Sequence, residues 1–179
     1  RPTHAPAGLE YSPLVAAHFA TEDIDYYDRD GVIWCVNIED VNANLPPSLR
    51  QKLSEQRADI FTRDILEDVA HNFTSLQALS DQPFALFFEP ASTVNRIANQ
   101  YALFSAVSDP AVTLLDLPES ECFVRLIISK KAKLEIRDKL DYINISERMI
   151  YPGLDGICRW IARQYSALGP KYNRRPDAS

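Results

Sequence analysis

The sequence predicts an α+β fold, with a small central mixed sheet and helices packed on it. Two short apolar runs, at 31–38 and 84–88, are rich in β-branched and aromatic residues, as buried strands are. Between Phe61 and Phe73 an apolar residue recurs at every fourth position, which is typical of a helix with one buried face. Helical and strand patterns alternate too irregularly for a doubly wound sheet, so we expect a small sheet with flanking helices.

Local signals place the elements in order. Pro46-Pro47 opens a helix, because proline is favoured at a first helical position. Gly169-Pro170 ends the last helix, whose Ile157, Trp160, Ile161 and Tyr165 are expected to face inward. The predicted helices cover 13–21, 47–57, 62–79, a segment around Arg96, 130–142 and 155–168, and the predicted strands cover 31–38, 84–88, 103–107 and 122–128.

Composition predicts one globular domain. The chain has 179 residues, 46% of them hydrophobic and 25% charged, which is enough for a single core. We expect residues 1–168 to form that domain. Residues 169–179 are expected to be a flexible basic tail, with Lys171, Arg174 and Arg175.

Charge and cysteine content narrow the function classes. The net charge of -6 has the wrong sign for a general nucleic-acid binder. No apolar run has the length of a membrane span, so no membrane is expected. Cys35, Cys122 and Cys158 lie among apolar neighbours without disulfide or zinc spacing, and we interpret them as reduced core residues of a cytoplasmic protein.

Several common site types are excluded. The chain has no glycine-rich phosphate loop, no nucleophile elbow and no His-Glu-x-x-His. The acidic turn with Asp28 and Asp30 is not a calcium loop, because Tyr26 and Asn37 stand at its first and last ligand positions. No metal is therefore expected. His18 lies within an apolar helix and is interpreted as a packing residue.

Arg96 and Gln100 are the strongest candidate site residues. Their spacing of four places a guanidinium and a carboxamide side by side on one helical face, with Ile97 and Phe104 expected to pack inward. Such a pair can bind a planar polar ligand or a neighbouring carbonyl group. We predict that both side chains point toward one cleft beside the sheet.

Four blocks resemble the FRG domain family. They are Tyr11–Ala20, Gly31–Trp34, Arg96–Phe104, and Ile145–Gly156, and they occur in the family's order between residues 11 and 165. The aromatic-Arg-Gly motif that names the family does not occur in this sequence. The resemblance therefore implies that the family's N-terminal part lies outside this chain or has diverged, and residues 1–8 are expected to be extended.

The resemblance implies a function, because the family's layout resembles NAD-dependent ADP-ribosyltransferases. By that analogy Tyr11 and Ser12 belong to the ligand-binding middle element, Arg96 binds the ligand, and Gln100 stands at the catalytic position. NAD or another nucleotide-like small molecule is the expected ligand. A glutamine can hydrogen-bond a ribose but cannot act as a base. The alternative is a non-catalytic recognition module of a defence or stress-response protein, with a protein partner.

Overall fold

The structure, a computed structural model, describes residues 9–90, 99–117 and 121–165. These residues form helices α1 Pro13–Thr21, α2 Ile38–Ala43, α3 Pro47–Gln56, α4 Arg63–Val69, α5 Phe73–Gln77, α6 Lys133–Tyr142, α7 Glu147–Ile150 and α8 Leu154–Tyr165. The strands are β1 Leu9–Glu10, β2 Gly31–Val36, β3 Ala85–Phe88, β4 Ala102–Val107 and β5 Phe123–Ile128. The predicted mixture of helices and small sheets is confirmed. None of the described helices has the length and apolarity required to cross a bilayer.

The described strands form two small sheets instead of the one central sheet predicted. One has the order β1-β4-β3 and the other pairs β2 with β5. Strands β3 and β4 are antiparallel, with Phe88 opposite Phe104. These two rings meet edge to face at 5.7 Å between centroids, a favourable cross-strand contact.

Strand β2 is not the doubly buried strand that its apolar run predicted. Only Gly31 is buried in it, and Val32, Trp34 and Cys35 are exposed. The prediction was wrong because a continuous apolar run shows that a strand can be buried, but not that other elements cover both faces. The prediction that the three cysteines are core residues is also wrong. Cys158 is exposed, as Cys35 is, and Cys122 is partly buried.

The described chain divides into two compact units. Unit 1 contains residue 9, 34–90, 102–117 and 121–126, and unit 2 contains 10–33, 99–101 and 127–165. Unit 1 is held by a conventional apolar core around α3 and β3. Its buried members are Leu45, Leu49, Leu53, Phe61, Leu76, Phe84 and Leu86.

The predicted helix over 62–79 is two helices, α4 and α5. Ala70 takes an extended conformation after α4, and Asn72 begins the next helix as its N-cap. The Asn72 side chain accepts from the Ser75 N–H at 2.8 Å, and the Ser75 hydroxyl accepts from the Asn72 N–H. This reciprocal capping box satisfies free backbone donors and makes a new helix start favourable there.

Unit 2 combines a small apolar core with buried charge. Val15, Ile150 and Tyr151 form the buried apolar group. Beside it lies a group that we call the ionic cluster, joining side chains of α1, α6, α7 and α8. Its members are Glu22, His18, Arg137, Glu147, Arg163 and Asp141.

The Glu147 carboxylate is the centre of the ionic cluster. It accepts from Arg137 Nη2 at 2.8 Å and from Arg163 Nε and Nη2 at 2.7 and 3.0 Å. Arg137 is 1% and Glu147 4% exposed. Burial alone would raise the pKa of Glu147, but the Arg163 hydrogen bond and the Arg137 charge outweigh it and hold that pKa below its ordinary value.

The hydrogen bonds around His18 also determine which ring nitrogen of a neutral imidazole carries the proton. Arg137 Nη1 lies 2.7 Å from His18 Nδ1, and a guanidinium can only donate, so Nδ1 accepts. The proton of a neutral imidazole is then on Nε2, which donates to Glu22 at 3.2 Å. Glu22 also accepts from the Tyr151 hydroxyl. His18 is thus the satisfied packing residue that the sequence predicts.

Helix α6 buries two cationic side chains beside one apolar residue. Lys133, Arg137 and Leu140 form its buried face, and Ile143 is exposed. The spacing of Arg137 to Asp141 is typical of a solvated surface pair. The actual partners of Arg137 come from α1 and α7, so spacing within one helix could not reveal them.

Three of the four residues predicted to face inward on helix α8 are exposed, and the fourth, Trp160, is partly buried. Gly156 is buried and Arg163 points into the ionic cluster, while Ile157, Ile161 and Tyr165 are exposed. A Cβ at Gly156 would overlap the carbonyl oxygen of Tyr151. The close approach that only glycine permits, together with the Arg163 ion pairs, fixes which face is buried.

We expect Glu147→Gln to lower the free energy of unfolding by about 3–5 kcal/mol, because it removes the carboxylate that the buried Arg137 shares with the partly buried Arg163. Chemical denaturation measures this. A folded pKa held below the ordinary 4.5 gives stability that is present above that value and lost as the pH falls through the lower one. The difference in the free energy of unfolding between the wild type and the variant should therefore become smaller at acidic pH.

Glu135→Gln is the matched control. Lys139 and Glu135 pair at 2.7 Å, but both side chains are about 70% exposed. Exposed pairs contribute little, so this variant should unfold almost as the wild type does. If both variants lost the same free energy of unfolding, burial would not be the reason why the ionic cluster stabilises the protein.

Gly156→Ala tests the close packing of α7 and α8. In an unconstrained helix interior this change stabilises by about 1 kcal/mol, through helix propensity. Here the added methyl group meets backbone carbonyl groups of Tyr151 and Glu147, so we expect a lower melting temperature. A rise in melting temperature would mean that α8 is not held against α7 in this way.

Candidate functional site

The predicted residues Tyr11, Ser12 and Gln100 lie on adjoining segments of unit 2. The Tyr11 N–H donates to the Tyr101 carbonyl oxygen at 3.1 Å, which places the segment before α1 beside the segment 99–101. Residues 11 and 100 are far apart in sequence, so this proximity is a property of the fold. Arg96 lies outside the described residues.

The side-chain amide of Gln100 is not fully satisfied by hydrogen bonds. Its side-chain nitrogen is buried and has no hydrogen-bond partner within the described part of the chain. A buried amide left unpaired costs about 1–3 kcal/mol, so such groups are rare in native folds. The amide nitrogen can donate two hydrogen bonds, and it makes none within the described residues.

The residues on both sides of Gln100 are held in place. Asn99 Nδ2 donates to the Met149 carbonyl oxygen at 2.9 Å, which ties the segment to α7. Tyr101 has φ of 52°, in the left-handed region that non-glycine residues seldom adopt. Strained backbone of this kind is often found at ligand sites. Sequence patterns give no signal for either feature.

Ser12 has a structural task as well as its predicted one. Its hydroxyl oxygen accepts from the Val15 N–H at 3.4 Å and caps α1. The hydroxyl hydrogen remains able to donate. The neighbouring Tyr11 is 48% exposed, so its ring is accessible from solvent.

Glu10 is a candidate that the sequence analysis missed. It is the last residue of β1, directly before Tyr11, and it is half-buried. Burial raises the pKa of its carboxyl from 4.5 to about 7. A carboxyl that titrates near neutrality can give or take a proton. Its only sequence signal is an acid between Leu9 and Tyr11, which is a common pattern.

The acidic turn before β2 holds an internal cation. Lys133 Nζ donates to the Tyr26 carbonyl oxygen at 2.9 Å. Burial lowers the pKa of Lys133, and Asp30, Asp23 and Asp28 oppose that shift. The described residues contain no group of three or more His, Cys, Asp or Glu side chains arranged for a metal ion.

A surface depression in unit 1 contains none of the predicted site residues. Its volume is about 340 Å³. Its lining includes Glu39, Asn42, Arg50 and Asp59. The Asn42 amide already donates to the Asp59 carbonyl oxygen at 2.7 Å, so part of its polar lining is internally paired.

Glu10→Gln should stabilise the protein more above pH 7 than below pH 4.5. Since the folded pKa of Glu10 is raised, the folded state binds more protons than the unfolded state between these values, and stability falls as pH rises through them. Glutamine removes that cost. Melting temperatures across the window measure the effect, with Glu55→Gln at an exposed helix position as the control. A difference independent of pH would contradict the shift.

Comparison with known proteins identifies no relative of this chain. No protein-family model, no curated protein and no solved structure matches the chain. The FRG resemblance therefore rests on the four sequence blocks. It remains a prediction, as do the roles that it implies for Tyr11, Ser12, Arg96 and Gln100.

Proposed function

We propose that this chain is an ADP-ribosyltransferase-like domain that binds NAD or a related nucleotide at Tyr11, Ser12 and Gln100. The observation that carries the proposal is the buried, unpaired amide nitrogen of Gln100, next to the segment that holds Tyr11. An amide N–H can donate to a ribose hydroxyl or a phosphate oxygen. Binding a ligand would satisfy a group that the described fold leaves unsatisfied.

The neighbouring groups fit a nucleotide. The exposed ring of Tyr11 can stack on a base or a nicotinamide, and the Ser12 hydroxyl hydrogen can donate to an oxygen. Gln100 contributes positioning and electrostatics, and not proton transfer. Glu10 is the group near this segment that can carry a proton at neutral pH.

A recognition module is the second candidate function. Its favouring observation is the apolar surface of α8, where Leu154 and Tyr165 are 77% and 86% exposed. Exposed apolar residues arranged in a contiguous row mark protein-binding surfaces. In this alternative Gln100 has a structural role and binds no nucleotide, so the two candidates differ in what they assign to Gln100.

Gln100→Leu separates a ligand-binding role from a structural one. With no ligand present we expect unchanged or slightly raised stability, because the variant removes a buried unpaired donor. NAD or ADP-ribose should raise the melting temperature of the wild type, since a ligand at a hundred times its Kd stabilises by about 2.7 kcal/mol. The variant should lose that shift. Thermal-shift titration with NAD, ADP-ribose and other nucleotides measures both effects.

Gln77→Leu is the matched control, because it makes the same chemical change at an exposed helix position. It should keep the ligand-dependent shift. No shift with any of these ligands would overturn the proposed function. A large loss of stability for Gln100→Leu without ligand would assign the amide to the scaffold.

A further inference from the structure

His18 is a buried titratable side chain that the proposed function does not use. Its side chain has no exposed surface, yet both ring nitrogens make polar contacts. Nε2 donates to Glu22, the C-cap residue of its own helix α1, and Nδ1 accepts from Arg137 of α6. The imidazole is therefore a polar link between α1 and α6.

The contact with Arg137 requires a neutral imidazole ring. A guanidinium has only donors and is always charged, so it cannot accept a proton from the ring. The second proton of an imidazolium would have to bind Nδ1, which lies 2.7 Å from Arg137 Nη1. Proton uptake by His18 and the Arg137 hydrogen bond therefore exclude each other. An imidazolium in this place would also put two positive charges in contact in a buried environment.

The contact with Glu22 favours the opposite protonation state. The Glu22 carboxylate lies 3.2 Å from His18 Nε2, at the spacing of four residues that brings side chains together on one helix. A carboxylate at this distance stabilises an imidazolium. Because Glu22 belongs to the end of α1, it stays beside His18 when α1 moves away from α6. The neutral ring thus has a partner on another helix, and the charged ring has one within α1.

Every element packed around the ring contributes charged or titratable groups. They are Glu22 from α1, Lys133 and Arg137 from α6, Glu147 from α7, the Tyr151 hydroxyl after α7 and Arg163 from α8. The Glu147 carboxylate is engaged by both guanidiniums, and Lys133 donates to the Tyr26 carbonyl oxygen. Within the described part of the chain, no carboxylate is bonded to His18 Nδ1. The cluster therefore offers no compensation for a proton at that nitrogen while α1 is docked.

We propose that His18 is a pH-sensitive switch that holds α1 on α6 while its ring is neutral and releases α1 when Nδ1 takes up a proton. In the release step the proton binds the Nδ1 lone pair, and the hydrogen bond from Arg137 Nη1 breaks. The imidazolium keeps Glu22 as its partner. Acid thereby loosens the helix that begins directly after Tyr11 and Ser12. The switch needs no ligand, so it is independent of the proposed function.

Amide hydrogen exchange of the whole chain measures how often α1 opens in the native protein. Once α1 has moved away, the ring of His18 is solvated, and an ordinary solvated imidazole titrates at about pH 6.5. The opening equilibrium constant of the α1 amides should therefore rise about tenfold from about pH 8 to about pH 5.5. The amides of α3, which belong to unit 1, should not show this rise.

His18→Gln is the deciding variant. A glutamine oxygen can accept from Arg137 and its nitrogen can donate to Glu22, but the amide takes up no proton in this range. The rise in α1 opening should therefore be absent. Other titrating groups, Glu10 among them, are the same in both proteins and cancel in the comparison.

His71→Gln makes the same change at an exposed histidine and should keep the pH dependence of the wild type. A His18→Gln variant whose α1 still opens tenfold more often in acid overturns the proposal. So does a wild type in which α3 shows the same rise as α1.

Nitrogen-15 NMR of the imidazole rings tests the switch in the wild type, even if His18→Gln does not fold. The nitrogen shifts distinguish a neutral ring with its proton on Nε2 from an imidazolium. While α1 is docked, His18 should show the neutral form. A His18 ring that is charged at about pH 5.5, with α1 amides as well protected as at about pH 8, would overturn the proposal.

Discussion

The buried carboxylate of Glu147 ties three helices of unit 2 together. Two guanidiniums from different helices share it in a nearly dry environment, where charge-assisted hydrogen bonds are strong and an unpaired charge is costly. The same helix α7 carries Met149, whose carbonyl oxygen anchors Asn99, and the cluster reaches α1 through His18. These ionic contacts therefore help to position the helices to which the segments of Tyr11, Ser12 and Gln100 are attached.

The sequence predicted helices and strands well where neighbouring residues determine the backbone conformation. Proline at 47 and the apolar periodicities predicted most helices and strands to within a few residues. The helix predicted over 62–79 failed because the capping preference of Asn72 outweighed a continuing apolar period. The short helices α2 and α7 were missed, since four to six residues give too few turns for a period.

Burial was predicted less well, because it depends on partners distant in sequence. Arg137 has the spacing of a solvated ion pair, yet His18 and Glu147 enclose it. The apolar surface of α8 has the pattern of a core face, yet a glycine and an arginine turn it outward. For the candidate site, the family resemblance pointed to Tyr11, Ser12, Arg96 and Gln100, and this assignment remains a prediction. The sequence could not indicate Glu10, whose altered pKa arises from burial, or the left-handed Tyr101.

The interleaved order of the two units along the chain has a consequence for synthesis. Unit 2 is built from three separate stretches, and its His18–Arg137 contact spans 119 positions. A ribosome releases α1 long before α6, α7 and α8 exist, so α1 must wait without its buried partners. The described segments of unit 1, in contrast, are complete once residue 126 has emerged. Unit 1 can therefore close first, and its closure shortens the effective loop that the later ionic contacts must bridge.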